Sequence, residues 1–416
     1  MLSVSEAQQA ILSKIKRLEP ETVLLLETQG RVLAEAIIAE TALPPFDNSA
    51  MDGYAVRAED LISAAPDHPV RLPVIADVPA GHPTSVEITA GTAARITTGA
   101  MLPRGADTVV PVEDTDDGAR GASELLQSVS IYTALPRGAH VRTAGDDVQR
   151  GDQVLSAGVL IRPAEIALLS AVGYSRVKVY RRPRVAVLAT GDELVEPNQQ
   201  PAAGQIRNVN GYSTAAMVMR YGGVPLLLGI ARDRTEEVAA KLEEAIGQGA
   251  DLIVASAGVS VGAYDVVKDA VQAHGSIDLW KVRMRPGKPI AFGAYRQVPF
   301  FGLPGNPVSA LMTFEQFVRP ALRIMCGFTH WKKPTVPVTL REAIESDGRE
   351  TYARAWVERH AGQWMARLSG GQGSNMLHSL TRANALVIVP DGITHLDAGA
   401  TAQAQMLDWP EEIEVQ

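Results

Sequence analysis

The sequence predicts a multidomain protein of the α/β plus β class. Strand-like and helical segments alternate from about residue 181 to residue 326, which is typical of a parallel sheet covered by helices on both faces. Short strand-like runs between Pro, Gly and Asp turns fill residues 44–150 and 327–416. We therefore expect a parallel α/β domain, an inserted mostly-β domain and a C-terminal β-barrel or sandwich domain.

The length of 416 residues predicts more than one domain. We divide the chain into four parts. An N-terminal helix and linking domain takes residues 1–43 and 151–180, and the inserted mostly-β domain takes residues 44–150. The α/β domain takes residues 181–326, and the C-terminal β domain takes residues 327–416.

The N-terminal segment has the pattern of an amphipathic helix over residues 3–18. Apolar residues recur on one helical face, at Ala7, Ile11, Ile15 and Leu18. Ser3 and Glu6 have the spacing of a capping box, and Pro20 ends the helical pattern. A second, short apolar helix is predicted over residues 163–172.

The α/β pattern consists of four strand runs, each followed by a helical run. The strand runs are residues 184–190, 225–230, 251–258 and 298–305. The helical runs are residues 210–223, 234–249, 265–275 and 306–325. Asn306 is expected to cap the last helix, with Pro307 at its first position.

Composition limits the classes of function. The formal net charge of −8 argues against broad binding to nucleic acid or acidic membranes. No run approaches the ~20 apolar residues of a membrane span, and the amphipathic N-terminus does not resemble a signal peptide. The single cysteine, Cys326, lies in an apolar stretch and is expected to be buried. We expect a cytoplasmic protein with no nucleic-acid or membrane partner.

Four loops follow the predicted parallel strands, at the edge where open sheets bind ligands. They are TGDEL with Glu193, ARDR with Asp233, SAGVSVGAYD with Asp265, and GLPGNP at residues 302–307. A glycine-rich loop before a helix offers backbone N–H groups to a phosphate, although AGVSVG lacks the GK[ST] of a P-loop. Two alternatives stay open, because Asp233 and Asp265 could be helix caps and Glu193 could face water.

The stretch KVRMRPGKP, residues 281–289, concentrates positive charge in an acidic protein. It contains Lys281, Arg283, Arg285 and Lys288. The rigid Pro-Gly-Lys-Pro favours an anion site over a basic strand edge that discourages sheet pairing. The acid-rich loops suit Mg²⁺, whereas the histidines show no zinc-binding spacing.

The stretch PPFDNSAMDGYAV, residues 44–56, places two carboxylates in a tight loop. Turn chemistry explains them in part, because Asp and Asn bond to their own backbone and Gly53 accepts positive φ. The loop alone does not decide whether Asp47 and Asp52 also take part in chemistry.

Seven motifs in register over the chain resemble the MoeA family of molybdopterin molybdenumtransferases, to which the E domain of gephyrin is related. They are PPFDNSAMDGYAV, RITTGAMLPRGADTVV, VRTAGDDV, VAVLATGDEL, ASAGVSVGAYD, RPGKP and GLPGNPVSA. The resemblance implies that the α/β domain is of the molybdopterin-binding type. It also implies an elongated homodimer, with each active site between the α/β domain of one subunit and the inserted domain of the other.

The activity that the resemblance implies is insertion of molybdate into adenylylated molybdopterin, with Mg²⁺ and with release of AMP. The product is molybdenum cofactor. The substrates are adenylylated molybdopterin and molybdate, and the molybdopterin adenylyltransferase is an implied partner.

The resemblance also implies the site residues, by position in the motifs. The catalytic set is Asp52, Thr98, Asp147, Glu193, Asp233 and Asp265. Of these, Glu193, Asp233 and Asp265 are the expected metal ligands. The substrate-binding set is Ser256, Gly258, Ser260, Gly262, Arg285, Lys288, Pro304, Asn306 and Pro307, and the molybdate ligands are Arg354 and Ser374. Asp47 keeps its turn-forming interpretation.

Two positions depart from the family pattern. Ala257 stands where the family has glycine, and Arg285 stands where it has lysine. A paralogue with tungstate preference is therefore an alternative to the molybdate enzyme. A non-enzymatic, gephyrin-like scaffold is another, but the retained acids Asp52, Asp233 and Asp265 favour the enzyme. The adenylyltransferase itself is disfavoured, because it consists of the α/β domain alone.

Overall fold

The protein is described by a computed structural model that covers residues 1–118, 124–256 and 263–410, with the side chains of residues 263–265 and 279 outside the description. The chain forms two compact units. The first unit consists of Met1–Thr22, Gly30–Ala34 and Lys178–Gln416, and the second consists of Val23–Gln29 and Glu35–Val177. The boundaries of the four parts predicted from the sequence stay a prediction.

The α-helices of the described residues are α1 (Val4–Leu12), α2 (Pro163–Ala171), α3 (Val209–Arg220), α4 (Thr235–Gly247), α5 (Ala263–Gln272), α6 (Pro307–Thr313), α7 (Arg319–Met325) and α8 (His378–Thr381). Short 3₁₀ helices span Leu25–Thr28, Ala58–Leu61 and Val112–Asp114, and a π-helical turn spans Phe314–Val318. Among the residues that the structure describes, no helix has the length and apolar character needed to cross a membrane.

The strands before the α/β pattern are β1 (Pro20–Leu24), β2 (Ile37–Ile38), β3 (Asn48–Ser49), β4 (Gly53–Val56), β5 (Val70–Val78), β6 (Ala93–Ile96), β7 (Thr108–Pro111), β8 (Ser128–Ile131), β9 (Val141–Arg142), β10 (Gln153–Leu155) and β11 (Arg176–Tyr180). Those of the α/β pattern are β12 (Arg184–Thr190), β13 (Leu194–Val195), β14 (Ile206–Arg207), β15 (Val224–Ala231), β16 (Leu252–Ser256), β17 (Gly275–Lys281), β18 (Met284–Arg285), β19 (Pro289–Tyr295) and β20 (Val298–Leu303). The C-terminal strands are β21 (Thr335–Leu340), β22 (Ile344–Glu345), β23 (Glu350–His360), β24 (Gln363–Leu368), β25 (Ala385–Val389), β26 (His395–Leu396) and β27 (Thr401–Met406).

Helix α1 begins with the predicted capping box. Ser3 Oγ accepts from the N–H of Glu6 at 3.2 Å, and the Glu6 carboxylate accepts from the N–H of Ser3 at 2.8 Å. The predicted end at residue 18 is wrong, because the helix ends at Leu12. After Leu12 the backbone hydrogen bonds join residues three apart, from Lys14 to Ile11 and from Ile15 to Leu12. Ile15 is buried in the core, but it is not part of the helix.

The central sheet has the order β15–β12–β16–β20–β19–β17. The first four strands pair in parallel, as the alternating pattern predicts. Strands β19 and β17 extend the sheet in the antiparallel direction and were missing from the sequence prediction. The chain reverses between β19 and β20 at Arg296 and Gln297, which both have positive φ, as a tight hairpin turn requires.

Both faces of the sheet are buried, as predicted for a parallel α/β sheet. Val185 and Val187 point into a core that includes Ala215 and Val218 of α3. Ala186 and Leu188 lie on the opposite face of the strand, in a second core formed with α4 and α5. The alternation follows from the period of two along a strand.

The helical run predicted over residues 306–325 is interrupted by the π-helical turn. This turn carries Glu315, which is 1% exposed. Its carboxylate accepts from the hydroxyl of Tyr221 at 2.7 Å and lies 3.0 Å from Arg319 Nε and 3.2 Å from Lys333 Nζ. A buried carboxylate requires such partners, because its desolvation costs several kcal/mol otherwise.

The C-terminal strands form a closed barrel. Strands β23, β24, β21, β27 and β25 follow one another around it, and β25 pairs back to β23. The sequence left open a barrel or a sandwich, and the structure decides for the barrel. Strand β18 pairs with the first residues of β23.

The second compact unit is mostly β, as predicted. Its largest sheet has the order β7–β4–β6–β5–β8. Gly53 begins β4, and it does not have the positive φ that turn chemistry predicts. A Cβ there would lie 1.9 Å from the carbonyl oxygen of Val110, so close strand approach is the reason for this glycine.

Replacing Glu315 with alanine should destabilise the protein by about 3–5 kcal/mol, because Arg319 and Lys333 would stay buried without their counter-charge. Urea denaturation followed by tryptophan fluorescence measures the change. Glu244→Ala is the matched control, because Glu244 pairs with Lys241 at the surface, and its loss should cost less than about 1 kcal/mol. Equal stability of both variants would contradict this account of the buried carboxylate.

Candidate functional site

The carboxyl ends of the four parallel strands meet at one edge of the sheet. Thr190 pairs with Ala231, Ala189 pairs with Ser256, and Ser256 pairs with Leu303. The loops after these residues therefore begin side by side. This register explains why TGDEL, ARDR and GLPGNP, which are far apart in sequence, border the same region.

Two adjoining cavities lie at this edge within the first compact unit. The smaller has a volume of about 460 Å³, and the residues predicted for the site that line it are Glu193, Ser256, Asn306 and Pro307. The larger has a volume of about 670 Å³, and its predicted lining residues are Glu193, Arg285, Lys288, Pro304, Asn306 and Ser374. Glu193 and Asn306 line both cavities. The structure thus brings together most of the residues predicted in this unit.

Asn306 connects the sheet edge to the C-terminal barrel. It occupies the N-cap position of α6, as predicted, but its side chain makes no capping hydrogen bond. The amide nitrogen instead donates to Ser374 Oγ at 3.3 Å. Two polar residues predicted from separate motifs are therefore in contact.

Glu193 is exposed and lies in the loop after β12. Gly191 has φ +150°, and a Cβ there would lie 2.5 Å from a carboxylate oxygen of Glu193. The Glu193 carboxylate thus lies against the Cα of Gly191. A side chain at residue 191 would clash with it. The alternative of a carboxylate that only faces water stays open, although this one lines both cavities.

Asp233 follows β15 and is not a helix cap. The N-cap residue of α4 is Arg234, which makes no side-chain capping bond, so the cap alternative is wrong. The N–H of Asp233 donates to Asp192 Oδ1 at 3.2 Å. Asp233 Oδ1 is buried and has no hydrogen-bond partner among the described residues. Buried polar atoms almost always have a partner, and an acceptor-only oxygen suits a cation.

Several predicted residues fall outside the description. Gly258, Ser260 and Gly262 lie outside the described residues, as does the departure at Ala257. Asp265 belongs to α5, but its side chain is not described. Within residues 1–118, 124–256 and 263–410, no group of three or more His, Cys, Asp or Glu side chains is placed to hold a metal ion. The predicted metal set with Asp265 stays a prediction.

The basic stretch divides into paired and unpaired cations. Arg283 forms a salt bridge of 2.8 Å with Asp391. Arg285 and Lys288 line the larger cavity and form no salt bridge with the part of the chain that the structure describes. Arg349 also lines this cavity, but its guanidinium is bound to Asp347 and lowers the pKa of that carboxyl. Arg285 and Lys288 are therefore the two cations of this stretch that line the cavity without a salt bridge to a described carboxylate, as the predicted anion site requires.

Arg354 is fully buried and does not line either cavity. Its guanidinium donates to Ser379 Oγ at 2.7 Å and to the carbonyl oxygens of Gly371 and Gly373 at 2.8 and 3.1 Å. Burial lowers the pKa of this guanidinium. Its Nη1 has no partner among described residues. Arg354 thus holds the loop that carries Ser374, and its predicted contact with molybdate stays a prediction.

The second compact unit contains the other predicted acids. Asp52 Oδ1 accepts from the N–H of Thr98 at 2.6 Å and from its hydroxyl at 3.0 Å, so these two residues are in contact. Asp147 is exposed. Asp47 accepts from the N–H of Ala144 at 2.7 Å, so it joins two distant loops rather than bonding to its own turn.

No motif in the sequence marks Arg232, Gln372, Arg349 or Asn210 as residues of the site. Arg232 stands next to Asp233 in the quoted ARDR, but the motif gave no sign of what its guanidinium binds. Gln372 and Arg349 line the larger cavity, and Asn210 lines the smaller one. These residues reach the cavities because of the way the C-terminal barrel packs against the edge of the sheet. No local pattern in the sequence encodes that packing.

Three family models match successive parts of the chain. The MoeA N-terminal region (domain I and II) matches residues 2–173. A probable molybdopterin binding domain matches residues 186–324. The MoeA C-terminal region (domain IV) matches residues 337–407.

Curated relatives and solved structures match over nearly the whole length. Molybdopterin molybdenumtransferase 2 of Mycobacterium tuberculosis is 39% identical, over 97% of this chain and 99% of its own length. Molybdopterin molybdenumtransferase of a Nostoc species is 38% identical, over 96% and 92%. The crystal structure of the molybdopterin biosynthesis moea protein from Pyrococcus horikosii has 32% identity and a TM-score of 0.81, over 98% of this chain and 100% of that one.

Replacing Arg354 with methionine should release the loop of residues 370–374. Amide hydrogen exchange there should accelerate by about tenfold or more, because each lost hydrogen bond contributes about 1 kcal/mol. Mass spectrometry of the exchanged protein measures this. Arg359→Met is the control on the same strand, since Arg359 is exposed and lies over the ring of Trp364. Unchanged exchange in the Arg354 variant would show that the loop holds its position without Arg354.

Proposed function

This chain belongs to the MoeA family of molybdopterin molybdenumtransferases, and we propose that it inserts molybdate into adenylylated molybdopterin with release of AMP. One observation carries the proposal. Arg285 and Lys288, which have no salt-bridge partner among the described residues, line a cavity together with Ser374 and Asn306, and Glu193 lines both this cavity and the adjoining one. The two curated relatives reported above are named molybdopterin molybdenumtransferases.

The proposed chemistry explains the charge of the cavity. Both substrates are anions, so their approach requires positive charge and hydrogen-bond donors in a fixed arrangement. Arg285 and Lys288 offset the charge of the phosphates and of molybdate, and Arg285 presents a planar fork to oxyanions. Asn306 and Ser374, which are in contact with each other, orient the substrate. Water hydrolyses the phosphoanhydride, so that AMP leaves and molybdopterin keeps its own phosphate. Both sulfurs of the molybdopterin dithiol bind molybdate, and one oxygen of molybdate leaves as water with the two thiol protons.

Magnesium is the proposed cofactor, held by Glu193 and Asp233 together with Asp265. The buried Asp233 Oδ1, which has no hydrogen-bond partner among the described residues, fits this assignment, because Mg²⁺ takes one or two carboxylates along with phosphate oxygens and water. When bound, the ion would offset charge on the substrate phosphates. The protein's part is to keep Glu193 at the cavity and to leave an oxygen of Asp233 without a hydrogen bond from any described residue.

The proposed working form is a homodimer in which Asp52, Thr98 and Asp147 of one subunit complete the site of the other. Asp52 and Thr98 are exposed in the second compact unit. Oxygen Oδ1 of Asp52 is bonded to Thr98, and no described residue donates a hydrogen bond to its other oxygen, Oδ2. In this proposal, Oδ2 of Asp52 accepts a hydrogen bond from the substrate or from a water molecule bound to it. The substrate itself comes from an adenylyltransferase, which is the proposed partner.

Arg285→Gln should raise the concentration of adenylylated molybdopterin at half-maximal rate by about tenfold or more, since a charged hydrogen bond contributes about 1.5–3 kcal/mol. Initial rates of AMP release with Mg²⁺ and molybdate measure this. Arg285→Lys should regain most of the affinity, because it restores the charge.

The matched control is Arg283→Gln. Arg283 lies two residues away and is paired with Asp391, so its loss should leave AMP release nearly unchanged. Similar kinetics for the Arg285 and Arg283 variants would refute the role of Arg285 in substrate binding.

Heterodimers of Asp52→Asn and Glu193→Gln subunits test the shared site. Each variant alone should be inactive. A heterodimer purified with two different tags should regain about half of the wild-type rate of AMP release, because one of its two sites keeps both residues. A heterodimer that stays inactive would contradict a site shared between subunits.

A further inference from the structure

Arg232 binds the loop that carries Glu193. It is the first residue after β15, and its Nη1 donates toward three carbonyl oxygens of the neighbouring loop. The distances are 3.4 Å to Gly191, 3.0 Å to Asp192 and 3.1 Å to Leu194. These carbonyl groups precede and follow Glu193. A single guanidinium nitrogen therefore binds the backbone on both sides of Glu193.

The same two loops are joined at further points. The N–H of Gly191 donates to the carbonyl oxygen of Ala231 at 3.1 Å, and the N–H of Asp233 donates to Asp192 Oδ1 at 3.2 Å. The N–H of Arg232 donates to Glu237 in the first turn of α4 at 3.0 Å. Arg232 is thus fixed at its backbone by α4 and at its tip by the loop after β12.

The guanidinium of Arg232 interacts with carbonyl oxygens and not with carboxylates of the described residues. Its guanidinium forms no salt bridge with any carboxylate of the described residues. The Arg232 guanidinium therefore does not occupy the carboxylate oxygens of the neighbouring Glu193 and Asp233. Asp192 and Glu237 are each engaged by a backbone N–H.

We propose that Arg232 is a positioning residue that holds Glu193 and Asp233 in the arrangement that binds a divalent cation. It acts through the carbonyl groups of the loop after β12 and touches neither the metal nor the substrate. The inference rests on the proposed function for the role of the metal. Residues that hold metal ligands by hydrogen bonds set the orientation of those ligands, and their loss typically costs about 10–100-fold in metal affinity.

The test uses the full-length protein and the variants Arg232→Ala, Arg232→Lys and Arg234→Ala. Arg234 is the matched control, because it lies in the same loop and only pairs with Glu237 at 3.5 Å. Binding of Mn²⁺, followed by electron paramagnetic resonance without any substrate, is the first readout. The second is the Mg²⁺ concentration at half-maximal AMP release.

Arg232→Ala should weaken Mn²⁺ binding by about tenfold or more and raise the half-maximal Mg²⁺ concentration by a similar factor. At saturating Mg²⁺, the substrate concentration at half-maximal rate should stay near the wild-type value. Arg232→Lys should regain much of the affinity, because an ammonium group also donates to several carbonyl groups. Arg234→Ala should behave like the wild type.

Wild-type Mn²⁺ affinity in Arg232→Ala would overturn the inference, and so would equal losses in Arg232→Ala and Arg234→Ala. Circular dichroism checks that each variant folds, and Arg232→Gln replaces the alanine variant if that one does not. Absence of AMP release from the wild type would remove the proposed function, whereas the Mn²⁺ comparison would still decide the role of Arg232. Absence of Mn²⁺ binding to the wild type would overturn the inference and leave the transferase proposal to be judged by AMP release.

Discussion

The parallel pairing of β12 with β15 and β16 is the constraint on which the candidate site depends. It aligns the last residues of the strands, with Thr190 beside Ala231 and Ala189 beside Ser256. Parallel strands carry their carboxyl ends to one edge, so each following loop must begin there. A shift of β15 by one residue would move Asp233 away from the loop of Glu193 and turn its side chains to the opposite face.

Arginine has two different roles around the cavities. Arg232 and Arg354 donate to backbone carbonyl oxygens and hold loops in place. Arg285 and Lys288 have no salt-bridge partner among the residues described and line the larger cavity. In a protein with a formal net charge of −8, these two cations thus stand without a salt bridge to any described residue, while Arg232 and Arg354 are bound to carbonyl groups and Arg349 to a carboxylate.

Local patterns in the sequence predicted the strand over residues 184–190, the helices on both faces of the sheet and the loops at its edge. Local patterns failed where contacts between residues far apart in the sequence determine the structure. Helix α1 ends at Leu12 because the following residues pack into the core without helical structure. The burial of Arg354 depends on the loop around Gly371 and Gly373, and the contacts of Arg232 depend on strand register. Composition and spacing carry no direct signal for either arrangement.

The most direct test of the transferase assignment is AMP release from adenylylated molybdopterin by the wild-type protein with Mg²⁺, in the presence of molybdate, of tungstate or of neither oxyanion. The account predicts release that depends on molybdate. A preference for tungstate would instead point to Arg285 and Ala257 as changes in metal specificity. No release under any of the three conditions, from folded dimeric protein, would contradict the account.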